Sequence, residues 1–324
     1  MPDAAAHYDF GATEHSSGLR FYRVHGLVLA SEIELPELAA FEIAFDRAPD
    51  VHIRLGTIAR PDGAAPAPLD VVARPDGAAF VEVPDVARYV AKDGREIIVA
   101  PDGEAHPGLV RAFLLGLTMS LICHQREFLT LHASAVAFGD RVVAFAGDAG
   151  AGKSTLAAHC VEAGARLVAD DLFRVSIAAE SVRAYPGASQ FRLWRHALEG
   201  LNWSTEGRTP IYWREDKFWV PAVSRIEDDT LPLAGIYVLE QHDGAFDAVW
   251  ERLTGAAAAT ALIVNSPGWL KSLDAVGRRP GHFKDCARLA NRVAVTRLRR
   301  RFDPEALPGM AARIAAAVRA LPAS

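Results

Sequence analysis

From Gly18 to Asp102 the chain alternates short apolar runs with turn residues. Arg20–Leu29, Val51–Ile58, Ala79–Val83, Arg88–Val90 and Glu96–Val99 read as strands, separated by clusters such as Arg60-Pro61-Asp62-Gly63 and Pro101-Asp102-Gly103. This predicts a small β-rich domain over residues 1–105, with Ala64–Pro68 as a disordered loop inside it. After Pro107 the period becomes helical through about Gln125. Phe128–Phe138 and Arg141–Ala146 then flank Gly139-Asp140, which predicts a hairpin running into a glycine-rich loop. Thr155–Ala163 reads as the helix that loop opens, closed by Gly164, and Arg166–Ala169 as a strand ending at Asp170-Asp171. Farther on, Gln190–Glu199 is expected as helix, Ile236–Leu239 as a buried strand and Ala256–Val264 as a helix of small residues. Val293–Leu298 is expected as a strand and Pro308–Leu321 as a closing amphipathic helix. Alternating strands and helices make residues 106–324 an α/β domain.

Composition narrows the classes. Hydrophobic residues are 50% and charged residues 23% of the 324, an ordinary globular balance. The formal net charge of −5 supplies no clustered positive field for nucleic acid or an acidic membrane surface. Arg297, Arg299, Arg300 and Arg301 are the local exception and read as a solvated strand end. Cys123, Cys160 and Cys286 are odd in number and far apart, without metal-ligand spacing, so neither a disulfide framework nor a zinc site is implied. The start, MPDAAAHYDF, lacks a basic stretch followed by an apolar core. The most apolar helical stretch, Leu109 to Cys123, contains Arg111 and is shorter than the ~20 residues of a membrane span. A cytoplasmic protein without a membrane segment is expected.

The chemistry starts at Gly147-Asp148-Ala149-Gly150-Ala151-Gly152-Lys153-Ser154-Thr155, which satisfies the G-x4-G-K-[ST] pattern between an apolar strand and a helix. Glycines let backbone N–H groups turn inward around phosphate oxygens, and the helix N-terminus favours negative charge. Lys153 is placed to reach the β- and γ-phosphates and Ser154 to offer its hydroxyl to Mg²⁺. Leu167-Val168-Ala169-Asp170-Asp171 then delivers two carboxylates, 17 residues after Lys153. One can hold the metal while the other accepts a proton from an attacking hydroxyl. His132, in Leu131-His132-Ala133-Ser134, ends the strand before the loop. Taken alone, it reads as a core histidine.

These three elements, in this order, resemble the catalytic domain of the HPr serine kinase/phosphorylase family. There a histidine precedes the loop by a similar separation, and the next strand ends in the same LVADD string, here Leu167 to Asp171. The resemblance is strong over residues 128–175. Over 176–320 it is weaker, where Tyr185-Pro186-Gly187, Arg192-Leu193-Trp194 and Lys217 are similar to HPr-kinase-related proteins of biosynthetic clusters, lasso-peptide kinases among them. It implies an α/β P-loop kinase core of the HPr kinase and PEP carboxykinase type, and it covers nothing recognisable in the first 100 residues; the β-rich N-terminal domain is expected to select the acceptor because no phosphate-binding or acidic motif occurs before His132. The resemblance also implies ATP and Mg²⁺ as cofactors, a serine of a peptide or protein as acceptor, and a homo-oligomer. His132, Asp170 and Asp171 would surround the transferred phosphate, with Asp170 as the base and Asp171 and Ser154 facing Mg²⁺. Lys217 would be a further cation for the transferring group. The glycine-rich signature that supports the phosphorylase reaction does not follow the Asp pair.

Asn202–Trp219 is rich in aromatic residues, with Arg208, Arg214 and Lys217 interleaved, and reads either as a substrate-binding flap or as a loop packed on the core. Two other classes use a P-loop: kinases of free serine or a polyol, and nucleotide-binding regulators or ATPases without transfer. Ile236–Glu240 resembles an ATPase strand with a terminal carboxylate, but no LSGGQ-like signature accompanies it.

Overall fold

The structure is a computed structural model that describes residues 18–61, 67–179, 181–188, 190–208, 210–211, 214–222, 226, 229–242, 248–266, 269–301 and 303–322. Residues 64–66 of the expected disordered loop, and Tyr212 and Trp213 of the aromatic segment, lie outside them. The described chain is a mixed α/β protein with three sheets.

The first sheet is built from β1 (Arg20–Val24), β2 (Leu27–Ser31), β3 (Val51–Leu55), β4 (Val71–Ala73), β5 (Ala79–Val83), β6 (Ala87–Lys92) and β7 (Glu96–Pro101). Their order is β1-β2-β3-β7-β6-β5-β4. Period-two alternation sorts the side chains. Val81, Tyr89, Ile97 and Val99 enter one core, and Phe80, Val90 and Ala100 enter a smaller cluster on the other face.

The helix Pro107–Gln125 covers the first of these faces, with Leu109, Val110, Leu114, Met119, Leu121 and Ile122 in the same core. Pro107 at its first turn and the His106 ring, which accepts from the Gly108 amide at 3.1 Å, start it. At 19 residues and a mean hydropathy of 1.4, it is longer than the apolar stretch expected and matches a membrane span in length and composition. Yet 67% of its apolar window is buried inside this fold, as in a core helix. The boundary expected at 105 therefore falls between a sheet and the helix that completes its core.

The second sheet carries β8 (Leu129–Leu131), β9 (Ala133–Phe138), β10 (Arg141–Gly147), β11 (Arg166–Ala169), β12 (Phe173–Ile177) and β13 (Val182–Tyr185). β17 (Leu231–Gln241), β18 (Val249–Leu253) and β19 (Ala294–Arg300) complete it, once β14 (Gln190–Trp194), β15 (Pro210–Ile211) and β16 (Arg214–Pro221) have formed the third sheet. β10 is parallel to β17, β17 is parallel to β19, and β9 lies antiparallel between β10 and β11. Four strands, β11, β10, β17 and β19, thus run in one direction and end on one edge, where β9 begins. Carboxyl ends of co-directional strands are where α/β sheets place ligands.

Two expectations are corrected. Gln190–Trp194 is strand rather than helix, because Phe191 and Leu193 alternate into the core while the segment pairs with β16; the helix is only Arg195–Gly200. The arginine run is not simply solvated: Arg297 pairs with Glu240 and Glu251 at 2.8 and 3.2 Å, and Arg300 is 1% exposed.

The first sheet is pinned to the second at the tight turn between β1 and β2. The His25 amide donates to the Pro186 carbonyl at 2.8 Å, and Arg174 donates to the His25 carbonyl. The Arg174 guanidinium is sandwiched 3.4 Å from the Phe128 ring centre and 3.9 Å from that of Tyr185. A fragment beginning at His106 would leave the helix Pro107–Gln125 without its sheet and bare six large core side chains. Such a fragment is expected to lose near-UV circular dichroism and to bind an apolar dye; a native near-UV spectrum would contradict the shared core.

Candidate active site

The glycine loop joins β10 to the helix Lys153–Glu162. Gly147, Gly150 and Gly152 have φ of 147°, 87° and 86°, a region that disfavours side chains. At Gly147 a Cβ would also stand 2.7 Å from the Leu239 carbonyl oxygen. The loop carbonyls are held by side chains: Lys153 Nζ donates to Gly147 O and Asp148 O at 2.8 and 3.0 Å, Gln241 to Gly150 O at 3.1 Å and Arg300 to Ala151 O at 3.0 Å. The first-turn amides of Lys153, Ser154 and Thr155 have no intrahelical acceptor and are donors available to an anion at the helix N-terminus. Asp148 and Ala149 of the loop are exposed. Lys153 is itself buried; burial pulls its ammonium down in pKa, opposed by Asp170, Asp171 and Asp148.

Asp170 leaves β11 beside this loop. Its Oδ1 accepts from the Ser154 hydroxyl at 2.8 Å and from the Ser134 hydroxyl at 2.5 Å, and its Oδ2 accepts from the Arg192 amide at 3.1 Å. Asp171 follows with φ of 79°, a left-handed turn that brings its carboxylate to the same edge as that of Asp170. Asp171 Oδ2 accepts from Arg192 at 2.9 Å, and its Oδ1 lies 3.2 Å from His132 Nε2. Burial pushes the Asp171 carboxyl up, but Arg192, His132 and Lys217 outweigh it and bring the carboxyl well below the usual range. His132 sits between β8 and β9, where the chain passes from one half of the sheet to the other, and its amide donates to the Asn265 carbonyl at 2.6 Å.

His132, Asp170 and Asp171 lie at one edge with the glycine loop: Asp170 meets the Ser154 hydroxyl and Asp171 meets His132. Lys217 lies on β16 with its ammonium 5.5 Å from the Trp194 ring centre, and its charge acts on Asp171. The aromatic segment is neither wholly flap nor wholly core. Phe218 is buried, Trp203 packs on Phe191 and donates to Glu162 at 2.9 Å, and Trp219 lies under the Arg192 guanidinium.

Ser134, Arg192 and Gly116 were not anticipated. Ser134 was within reach, since strand alternation puts it on the same side as His132. Arg192 and Gly116 come from distant elements. The helix Pro107–Gln125 has a π-helical turn at Leu114–Thr118, which presents Gly116 to the Asp pair. A Cβ at Gly116 would stand 3.1 Å from Asp171 Oδ2.

Beside the pair lies a small cleft that opens to solvent. Asp170, Asp171, Arg192 and Trp219 line it together with His25, from the turn between β1 and β2, and Glu37, from the short helix Pro36–Phe41 that follows β2. Burial and the Arg174 charge pull the His25 ring down to about 3, so it is neutral. Glu37 is held by Arg111 Nε at 2.9 and 3.0 Å.

The oxygen set formed by Ser154 and Asp170 suits Mg²⁺, which takes few protein oxygens and keeps phosphate and water as its other ligands. Among the described residues no group of three or more His, Cys, Asp or Glu could hold a metal by itself.

No protein-family model matches the chain, and no curated protein matches it. Among solved structures, the Hpr(Ser) kinase/phosphatase from Coxiella burnetii is similar at a TM-score of 0.31 and 11% identity, over 59% of this chain and 93% of that one.

Replacing Gly116 by Ala removes a helix glycine, a gain of about 0.5–1 kcal/mol in propensity, while crowding Asp171. The Gly116→Ala protein is expected to melt at the same or a higher temperature, with displaced NMR resonances of the His132 ring and the Arg192 guanidinium, the two groups that hold Asp171. A lower melting temperature with unchanged resonances would mean that Gly116 serves the helix alone.

Proposed function

We propose that this chain is an ATP- and Mg²⁺-dependent kinase that transfers the γ-phosphate to a hydroxyl, most naturally a serine of a peptide or protein. The observation that carries this reading is the Asp170 carboxylate shared between the loop hydroxyl of Ser154 and that of Ser134, with the Asp171–His132–Arg192 group beside it. A glycine loop alone would serve any nucleotide-binding protein. A second, cleft-facing carboxylate held ionised beside it is what proton removal from an acceptor requires.

The loop amides of 152–155 and Lys153 bind the phosphates; Lys153 exchanges the carbonyls of Gly147 and Asp148 for phosphate oxygens. Ser154 and Asp170 would hold Mg²⁺, which would neutralise negative charge on the phosphates. The metal role thus passes from Asp171 to Asp170, whose two oxygens are already turned to the loop, Ser134 and the Arg192 amide. Asp171 is the base. It takes the hydroxyl proton as the acceptor oxygen bonds to the γ-phosphorus and the bond to the β-phosphate oxygen breaks, releasing ADP. Arg192 and His132 make Asp171 a weak base, which suits a loose phosphoryl transfer in which the proton leaves late. His132 orients that carboxylate, and Lys217 adds positive charge near it. The cleft lined by the Asp pair, His25 and Glu37 receives the acceptor, so residues flanking β2 take part in selecting it.

ADP release is to be measured with and without serine-containing peptides, free serine and glycerol. Acceptor-dependent release supports a kinase, and equal release without acceptor would mean an ATPase. Asp171→Asn is expected to lower transfer by roughly 10²- to 10⁴-fold with MgATP affinity nearly unchanged. Asp170→Asn is expected to raise the Mg²⁺ concentration needed for half-maximal activity. The reverse pattern would restore the opposite roles, and full activity in Lys153→Ala would end the reading.

A further inference from the structure

Arg300 is the last residue of β19, opposite Gln241 in the parallel register with β17. Leu298 and Arg300 face inward, while Arg297 and Arg299 face Glu251. Arg300 is 1% exposed and abuts Gly152, where any Cβ would collide with its Nη2. That Nη2 donates to the Ala151 carbonyl at 3.0 Å, but Nε and Nη1 are buried without a hydrogen-bond partner. Among the described residues no carboxylate lies within ion-pair distance of it. Burial lowers its pKa.

A buried guanidinium with no carboxylate partner among the described residues is a destabilising feature that an apolar side chain of similar length would remove. Its place is the informative part. It lies beneath a loop whose upper surface already collects amide donors and the buried Lys153. An anion settling on that loop would offset both charges, whereas for the free protein Arg300 is a liability.

We propose that Arg300 is a positioning residue of the nucleotide site: it fixes the Ala151 carbonyl from below so that the loop amides face outward, and its charge is balanced by the bound polyphosphate. This rests on the loop being a nucleotide site. The ligand chemistry it predicts is the polyphosphate itself, with or without a nucleoside.

The test compares wild type, Arg300→Met and Arg300→Lys by thermal melting and by calorimetric titration with MgATP and with inorganic tripolyphosphate. For Arg300→Met the expected result is an unliganded melting temperature equal to or above wild type, with affinity for both ligands reduced roughly ten- to a hundredfold. A melting temperature below wild type with unchanged affinities would make Arg300 structural and overturn the proposal. If Arg300→Met does not fold, Arg300→Lys carries the test. The lysine keeps the charge but not the planar fork, so affinity should still fall several-fold, and wild-type affinity would overturn the proposal. Wild type binding neither ligand would overturn the nucleotide-site reading itself, an outcome distinct from a variant that binds normally.

Discussion

The site is organised around one buried carboxylate. Asp170 is 8% exposed, so as an ion it must find hydrogen bonds within the protein, and it takes them from Ser134 on β9, Ser154 on the glycine-loop helix and the Arg192 amide on β14. Each donor belongs to a different element, and satisfying the carboxylate fixes all three relative to β11. The sheet topology makes this possible. An antiparallel β9 between co-directional β10 and β11 brings its own start, with His132 and Ser134, to the ends of both neighbours.

Asp171 solves a different problem. A strand would send it away from Asp170, and the left-handed turn at φ 79° brings it back. Its charge is then held by Arg192 and His132, and its surroundings are closed by Gly116 on a helix whose core is the first sheet. The first sheet is thus part of the site's construction. Its β1–β2 turn and the Arg174 sandwich lock it against the strands that carry the Asp pair.

What was legible in the sequence follows the range of the forces involved. The glycine loop, its helix, the strand to Asp170 and the hairpin before it are set by local backbone demands, and all were readable from neighbouring residues. The Gln190–Trp194 strand was misread because its five residues run directly into the helical Arg195–Gly200, although the alternation of Phe191 and Leu193 was present. Arg192, Gly116 and His25 became part of the site only through pairings between elements far apart in the chain. Arg300 was misread because a run of arginines looks solvated until the pleat turns one of them inward. Which carboxylate meets the Ser154 hydroxyl lay beyond adjacency, since it is the left-handed backbone at Asp171 that sets its side chain against Arg192 and His132 and not beside Asp170 on the loop.

On the proposed reading, polyphosphate binds at the loop from Gly147 to Thr155, where the first-turn amides of Lys153, Ser154 and Thr155 have no intrahelical acceptor, while the Ala151 amide already donates to the Asp148 carbonyl. Hydrogen–deuterium exchange of this segment, with and without saturating MgATP, tests it most directly. Marked protection of the amides from 153 to 155, weakened when Mg²⁺ is withheld, is the predicted result. Exchange unchanged by MgATP in the folded protein would contradict the account.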